Sequence, residues 1–187
     1  MATVIETAKA ATIAYNEKNW DKVKAVFVEK GVYDEKSTGR RIQGVNQIIE
    51  AWQGWGKAIP DSKATFVAEY ASGDTAVLEV VWRGVHTGPL QMPTGTIQPS
   101  NKRIEIPACH VVKVEGGKVQ SFTHYFDMLA LLTQIGAFKG ELSALLTPEL
   151  EDLTQNYRRA SRNSSAPGLR RLDEDAGAKC QRRSQSA

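Results

Sequence analysis

The hairpin predicted over residues 115–127 constrains the fold of this chain more than any other segment. It reads Glu-Gly-Gly-Lys-Val-Gln-Ser-Phe-Thr-His-Tyr-Phe-Asp. Gly116 and Gly117 predict a two-residue turn, because glycine adopts a positive φ at both central positions without a steric cost. Two long antiparallel strands are therefore expected, at 103–115 and 118–127.

Small and polar side chains occupy one face of the second strand. Because side chains alternate between the two faces of a strand, this face is predicted to hold Ser121, Thr123, Tyr125 and Asp127. Such a face is unlike the apolar side of an ordinary core, so we expect it to line a pocket. Asp127 lies at the end of the strand, where a carboxyl group could transfer protons.

The order of the predicted elements indicates an α+β fold. Residues 2–30, with a break near Asn19 or Asp21, and residues 44–57 show the helical spacing of apolar side chains, and a short strand is expected between them at 32–34. Strands follow at 63–71 and 75–87 before the hairpin, and a last helix begins at Met128. Helices followed by a meander of strands predict a curved antiparallel sheet with the helices packed on one side.

The composition of the chain changes near residue 151. Residues 154–187 contain no Ile, Val, Phe or Trp and are rich in Arg, Ser, Gln and Ala. Such a segment cannot bury enough apolar area to offset the entropy lost on ordering. We therefore predict a folded domain over residues 1–150 and a disordered basic tail over residues 151–187.

The net charge of +3 belongs entirely to this tail. Residues 1–150 carry 16 basic and 16 acidic side chains, whereas residues 151–187 carry 8 basic and 5 acidic ones. A domain without excess positive charge gives no indication of nucleic-acid binding, so we expect no nucleic-acid partner.

Membrane and secretion signals are missing from the sequence. No apolar run approaches the roughly 18 residues that a membrane-spanning helix needs. The first residues lack the basic and apolar segments of a secretory signal. Cys109, in a predicted strand, and Cys180, in the tail, do not suggest a disulfide framework. We expect a cytoplasmic protein without a membrane partner.

Strand alternation also assigns faces to the strands that precede the last one. Pairing across the Gly-Gly turn sets His110 opposite Thr123, on the face predicted for Asp127. In the long strand before the hairpin, the matching face holds Trp82 and His86. A single bulge would invert part of this arrangement. Without one, five side chains converge on one cavity: Trp82, His86, His110, Tyr125 and Asp127.

Each candidate residue also has a structural interpretation. Asp127 precedes the last predicted helix, and aspartate is a favoured N-cap residue. His110 and Tyr125 could be hydrogen-bonded core residues, and His86 could be a solvated strand end. Trp55 lies on the apolar stripe of a helix, where a core position is as natural as a ligand contact.

Signatures of common cofactors are missing as well. The sequence has neither a phosphate-binding glycine loop nor a dinucleotide fingerprint, and its histidines and cysteines do not show zinc spacing. We therefore expect no metal and no organic cofactor. A pocket that combines a carboxylate with imidazoles suits proton transfer.

Four segments carry a family resemblance: 33–39 (Tyr-Asp-Glu-Lys-Ser-Thr-Gly), 82–88 (Trp-Arg-Gly-Val-His-Thr-Gly), 93–95 (Pro-Thr-Gly) and 115–127. Over about residues 5–137, their order and spacing resemble the SnoaL-like polyketide cyclases. This family lies within the larger group with the ketosteroid-isomerase or nuclear-transport-factor cone fold. The resemblance implies helices packed on the concave face of the sheet, which forms a cone-shaped pocket.

The resemblance also implies site residues. In these cyclases an aspartate at the end of the last strand acts as the acid/base, and Asp127 occupies the matching place. His110 is the nearest match to a histidine on the preceding strand. Asp34 matches a catalytic aspartate of related isomerases, although Glu-Lys follows it where proline is common. The candidate catalytic residues are thus Asp127 and His110, and the candidate substrate-binding residues are His86, Trp82, Tyr125, Asp34 and Trp55.

The favoured hypothesis is a cofactor-independent cyclase or isomerase that acts on a polyketide-like or related small hydrophobic carbonyl compound. Asp127 would give or take the proton in an aldol-type ring closure, its pKa raised by burial beside Trp82 and Tyr125. The alternatives are a non-catalytic small-molecule-binding or assembly module of the same fold, and a dehydratase.

The other face of the last strand predicts a partner surface. Phe122, His124 and Phe126 share this face, and an exposed aromatic patch marks an interaction site. Folds of this kind commonly pair through the outer face of the sheet, so we expect a homodimer or homotetramer.

Truncation of the chain after Leu150 is predicted to leave folding and activity unchanged, because the tail contributes no apolar core. The measurement is the thermal unfolding midpoint and the ligand binding of the truncated protein beside the full chain. Loss of soluble expression on truncation would contradict this interpretation of the tail.

Overall fold

The structure, a computed structural model, describes residues 2–92 and 95–138. The predicted domain limit at residue 150 and the predicted disorder of residues 151–187 lie outside the described residues. The helices are α1 (Val4–Asn16), α2 (Trp20–Val26), α3 (Val45–Ala58) and α4 (Met128–Ile135). The strands are β1 (Phe27–Glu35), β2 (Arg40–Gln43), β3 (Lys63–Ser72), β4 (Thr75–Val85), β5 (Leu90–Met92), β6 (Gly95–Ile97), β7 (Arg103–Glu115) and β8 (Lys118–Phe126).

The predicted α+β class is confirmed, but the sheet is mixed rather than wholly antiparallel. Six strands follow one another in the order β2-β1-β8-β7-β4-β3. The chain enters the sheet at β1, and β1 pairs with β8 in parallel. Tight turns force neighbouring strands to run antiparallel, whereas most of the chain separates β1 from β8, so no turn sets their relative direction.

The helical pattern over residues 2–30 forms two helices divided near Asn19, as predicted, and its last residues belong to β1. A capping box starts α1, in which the Thr3 hydroxyl accepts from the Glu6 backbone N–H and the Glu6 carboxylate accepts from that of Thr3. Lys18, with φ of 54°, ends it. Asn19 caps α2. β1 begins at Phe27, although the apolar spacing alone still fits a helix there.

Helices α1 and α3 pack against one face of the sheet and build an aromatic core. The Trp52 ring on α3 lies with its centroid 5.5–5.8 Å from four rings, each near-perpendicular to it. These four are Tyr15, Phe27, Tyr33 and Phe122. Edge-to-face pairs of this kind contribute about 0.5–1.5 kcal/mol each beyond their buried area, so Trp52 joins both helices and the sheet.

A β-bulge interrupts the hairpin that follows the Gly-Gly turn. Val114 pairs with Val119 as predicted, but Lys113 then pairs with Ser121, so Gln120 is an extra residue in β8. Beyond the bulge the register is displaced by one residue, and His110 pairs with His124 instead of Thr123. One inserted residue exchanges the two faces of a strand. The side of β8 that faces the helices therefore carries Phe122, His124 and Phe126.

A second apolar cluster closes the end of the domain near α4. The predicted loop at residues 88–99 contains two short antiparallel strands, β5 and β6. Leu90 of β5 packs with Ile59, Ile104 and Leu131, which come from three other parts of the chain. Gly136, with φ of 77°, ends α4 as predicted. Among the described helices, none is both long and apolar enough to cross a bilayer.

Gly88→Ala is expected to destabilise the protein by about 1–3 kcal/mol, the usual range for overpacking. An added Cβ would overlap the backbone carbonyl of Lys57, and the Gly88 N–H already donates to the Ala58 carbonyl at 3.0 Å. Gly54→Ala is the matched control, because Gly54 is exposed on α3 and, apart from its own helix backbone and chain neighbours, no described atom lies within 4 Å of the added Cβ. It should stabilise by about 0.5–1 kcal/mol. Chemical denaturation measures both, and equal effects would contradict this packing argument.

Candidate active site

An aromatic cavity lies between the helices and the sheet. Its volume is about 80 Å³ when measured to the centres of water-sized molecules, enough for several waters at roughly 10–15 Å³ each. Seven aromatic residues line it: Tyr15, Tyr33, Trp52, Trp55, Trp82, Phe122 and Phe126. Four aliphatic and four polar residues complete the lining: Ile59, Ile104, Ile106, Leu131, Thr12, Ser62, His110 and His124.

His110 is fully buried in the cavity wall. β7 places it on the helix-facing side of the sheet, where its Nδ1 lies 3.2 Å from the Thr12 hydroxyl of α1. The imidazole packs against Phe122 with ring centroids 4.7 Å apart. Its Nε2 is buried and has no hydrogen-bond partner among the described residues.

His124 faces His110 across the β7–β8 pair. The two imidazoles are nearly perpendicular, with ring centroids 4.8 Å apart. The Nδ1 of His124 lies 3.0 Å from the Tyr33 hydroxyl of β1. Its Nε2, like that of His110, is buried without a partner in the part of the chain that the structure describes. The bulge at Gln120 is what turns this histidine inward.

The third unpartnered polar atom of the cavity is the Nε1 of Trp82, again counting only described residues. The Trp82 ring lies 6.0 Å from that of His110 and 6.2 Å from that of His124. A buried polar atom without a partner costs about 1–3 kcal/mol, so such atoms call for an explanation. Three of them around one apolar cavity are suited to the polar groups of a ligand.

Both imidazoles are neutral at pH 7, because burial disfavours the charged form. Burial lowers the pKa of His124 to about 3. Burial and the neighbouring His124 hold the pKa of His110 well below its usual value. A neutral imidazole has one N–H donor and one acceptor nitrogen. The pair can therefore offer hydrogen bonds to a ligand without placing a charge in the cavity.

A buried ion pair supports the wall at Trp55. The Glu35 side chain is fully buried, and its carboxylate accepts from the Trp55 Nε1–H at 3.1 Å and from the Arg40 guanidinium. Burial, followed by the Glu35 charge, raises the pKa of Tyr33 well above its usual value. Tyr33 therefore stays protonated and can act as a hydrogen-bond donor.

Three of the seven predicted site residues line the cavity, and four do not. His110, Trp82 and Trp55 belong to the lining. The expectation that Asp127 opens into the cavity is wrong: its side chain is exposed, and its Oδ1 accepts from the Ala130 N–H at 2.9 Å. This is the N-cap contact of α4, the structural alternative that the sequence left open.

The bulge at Gln120 explains why Tyr125 lies outside the cavity, although strand alternation predicts it inside. Tyr125 is 46% exposed on the outer side of the sheet. The predicted partner surface is wrong for the same reason, because the three aromatic rings assigned to it point into the cavity instead. These are Phe122, His124 and Phe126. The homodimer or homotetramer itself stays a prediction.

His86 and Asp34 lie elsewhere for separate reasons. His86 is fully buried under the loop after β6, with its Nδ1 3.1 Å from the Ser100 hydroxyl, and burial lowers its pKa. Asp34 lies next to Tyr33 in β1, so its side chain is on the opposite face of the strand from the cavity. Its carboxylate pairs with Lys36 and Arg41. These cations lower the pKa of Asp34.

Sequence reasoning missed most of the polar lining. Strand alternation predicts His124 on the outer face, and the sequence pattern assigns no role in the cavity to Thr12, Tyr15, Tyr33 or Ser62. A pattern signal did exist for Tyr33, because it alternates with the outward Asp34 on the same strand. The His124 position could be found only by placing the bulge. In the described ranges, no group of three potential ligands could hold a metal ion.

A comparison with protein families identifies the chain. The model of the SnoaL-like polyketide cyclases matches residues 5–135. The chain belongs to this family. No curated protein matches the sequence. The family resemblance derived from the four sequence segments is therefore confirmed.

Solved structures show the same fold at low sequence identity. A proposed SnoaL-like polyketide cyclase from Jannaschia sp. CCS1 is 16% identical, with a TM-score of 0.62 over 74% of this chain and 97% of that one. IdmH, a proposed polyketide cyclase from Streptomyces antibioticus, is 18% identical, with a TM-score of 0.62 over 72% and 99%.

A third similar structure comes from Catenulispora acidiphila DSM 44928 and is described by its ketosteroid isomerase-like fold, in complex with trimethylamine. It is 21% identical, with a TM-score of 0.60 over 72% of this chain and 95% of that one. Identities this low establish the fold but not the reaction.

The neutral histidines predict that acid destabilises the protein. Their folded pKa values lie below that of unfolded histidine, about 6.5, so only the unfolded state gains protons just below this pH. The free energy of unfolding should therefore fall as the pH drops below about 6.5. The loss that comes from His124 should continue until the pH reaches its folded pKa of about 3. Each such histidine contributes a slope of up to about 1.4 kcal/mol per pH unit.

Denaturant titrations between pH 7 and pH 4 measure this slope. His124→Asn is the comparison variant, because asparagine can keep the hydrogen bond to Tyr33 and does not titrate. Its slope should be shallower than that of the wild type. Parallel curves for the two proteins would show that His124 is not held neutral.

Proposed function

We propose that this protein is a cofactor-independent cyclase or isomerase that binds a small hydrophobic carbonyl compound in the aromatic cavity. The single observation that carries the proposal is a pair of neutral imidazoles in an apolar lining, whose buried Nε2 atoms have no partner among the described residues. Family membership supports the kind of reaction. The compartment in which it acts is proposed to be the cytoplasm.

The lining supports a hydrophobic substrate with few polar groups. Aromatic side chains form about half of it, and an apolar pocket with a few placed polar atoms is typical of small-molecule sites. Within the described residues, no carboxylate lines the cavity. A neutral ketone is therefore a better match than a charged ligand, which would lose its hydration without gaining a counter-ion.

The proposed reaction is an intramolecular aldol-type ring closure. A carbon next to one carbonyl loses a proton to give an enol or enolate, and this carbon forms a bond to a second carbonyl carbon. The π bond of that second carbonyl breaks, and its oxygen takes up a proton as the hydroxyl forms. One proton leaves and one returns, so the reaction is redox-neutral and needs neither an oxidant nor a reductant.

His124 is proposed to hydrogen-bond the carbonyl oxygen on which charge develops. Tyr33 positions the imidazole through Nδ1, which leaves Nε2 for the substrate. The low pKa of His124 makes an imidazolium costly, so the ring stabilises an oxyanion or relays a proton rather than storing one. His110 would bind beside it, and folding of the chain by the aromatic walls would supply much of the rate effect.

The family resemblance assigns the acid/base role to Asp127 instead, and this assignment remains a competing proposal. The geometry favours His124, because Asp127 is exposed and caps α4. The lack of a carboxylate in the described lining also supports a second candidate function, a small-molecule-binding protein without catalysis. In that case the unpartnered nitrogens would serve recognition alone.

One assay separates these possibilities. The substrate is 1-phenylhexane-1,5-dione, whose ring closure and loss of water give a conjugated enone that is followed by ultraviolet absorbance. His124→Asn should lower kcat/KM by roughly 10²–10⁴-fold, the usual contribution of a positioned proton-transfer group. Asp127→Asn is the matched control and should retain activity, because asparagine also caps helices.

The opposite pattern, with Asp127→Asn inactive and His124→Asn active, would assign the chemistry to Asp127. Binding of the diketone without acceleration over buffer would favour the non-catalytic function. Tryptophan fluorescence provides the binding measurement, since Trp52, Trp55 and Trp82 all line the cavity.

A further inference from the structure

A second polar cluster borders the cavity and has no part in the proposed function above. It consists of Tyr15 at the end of α1, Lys18 just after it, and Ser62 just before β3. Tyr15 and Ser62 line the cavity and are only 6% and 4% exposed. Lys18 is partly buried behind them.

Hydrogen bonds connect the three side chains in a row. The Lys18 ammonium donates to the Ser62 carbonyl oxygen at 2.9 Å and to the Ser62 hydroxyl oxygen at 3.1 Å. The Ser62 hydroxyl lies 3.0 Å from that of Tyr15. The same ammonium stands 3.8 Å from the centroid of the Tyr15 ring, so it also makes a cation–π contact.

The backbone around this cluster is held in an uncommon conformation. Lys18 has φ of 54°, a region where glycine or asparagine usually follows a helix. Asn16 fixes the same corner to the sheet, because its side-chain amide donates to the Ala64 carbonyl at 2.9 Å and accepts from the Ala64 N–H at 2.8 Å. These contacts hold the lysine side chain over the Tyr15 ring.

Counting donors and acceptors leaves one hydroxyl hydrogen free. An ammonium only donates, so Lys18 occupies one lone pair of the Ser62 oxygen and accepts nothing. Tyr15 and Ser62 together carry two hydroxyl hydrogens, and their mutual bond uses one. Neither hydroxyl has another acceptor among the residues that the structure describes. Whichever way the bond runs, one buried O–H remains to donate.

The protonation states agree with this count. Burial lowers the pKa of Lys18 to about 8, with Asp61 opposing the shift and Lys63 adding to it. The lysine is thus still mostly an ammonium at pH 7. Burial also raises the pKa of Tyr15 to about 12, against the effect of the bond to Ser62, so this hydroxyl keeps its hydrogen.

We propose that Tyr15 and Ser62 form a second oxygen-binding subsite of the cavity, with Lys18 as the positioning residue that directs the free O–H. Trp82 separates this subsite from the histidines, with ring centroids 5.1 Å from Tyr15 and 6.0 Å from His110. The substrate class that fits is a dicarbonyl whose two oxygens lie on either side of the indole. This inference rests on the proposed function, since it concerns the same cavity.

Binding of paired probes to the full chain tests the subsite. The diketones 1,3- and 1,4-diacetylbenzene carry two oxygens, and the matching isopropylacetophenones have nearly the same shape with one. The wild type should bind the better diketone about three- to tenfold more tightly than its monoketone, the usual gain from one hydrogen bond. Both carbonyl stretches of the bound diketone should shift to lower frequency in the infrared.

Two variants assign the effect to this cluster. The double variant Tyr15→Phe/Ser62→Ala removes both hydroxyls, since either one alone would still leave a free O–H, and it should abolish the preference for the diketone and leave only one carbonyl band shifted. Lys18→Gly removes the ammonium and suits the positive φ, so the variant is expected to fold. It should retain binding of the monoketone but lose the shift of the second carbonyl band.

Failure of the inference and of the proposed function give different results. If the wild type binds both diketone and monoketone equally, or if the Tyr15→Phe/Ser62→Ala variant keeps the preference, the second subsite is overturned while the carbonyl-binding cavity stands. If neither diketones nor monoketones bind to the wild type, the proposed function is overturned, and the subsite with it.

Discussion

The register of the last hairpin is the constraint on which the site depends. Gln120 adds one residue to β8, and every side chain beyond it changes face. Because of this bulge, His124 stands opposite His110 inside the cavity and Tyr125 is exposed. A regular hairpin would place Thr123 and Tyr125 inside, and the cavity would lose one of its two imidazoles. A single backbone irregularity thus determines the chemistry of the pocket.

The cavity combines apolar walls with polar atoms whose protein partners are incomplete. Aromatic packing around Trp52 holds helices and sheet together. Burial behind these rings keeps both histidines neutral and makes unpaired nitrogens costly. The same burial that costs stability therefore prepares these nitrogens for a ligand. The Tyr15–Ser62–Lys18 cluster likewise contains one buried hydroxyl hydrogen that has no acceptor among the described residues.

Family membership and site geometry contribute different parts of the functional argument. The family model establishes the SnoaL-like relationship, and the similar structures establish the fold. The residues in the cavity then decide which reactions are chemically reasonable. Here they favour uncharged carbonyl compounds and hydrogen-bonding imidazoles, whereas Asp127 serves as the cap of α4. A shared fold accommodates such differences, because function resides in the side chains that line the pocket.

Local patterns in the sequence determined the elements: the Gly-Gly turn, the bounds of α3, β7 and α4, and the helix stop at Gly136 were all predictable. Turn and cap geometry depends on neighbouring residues, so the sequence shows it directly. Only the tertiary structure decided the parallel pairing of β1 with β8, the bulge at Gln120 and the meeting of Tyr15 with Ser62. These features arise from contacts between distant segments, and residue periodicity carries no information about which segments meet.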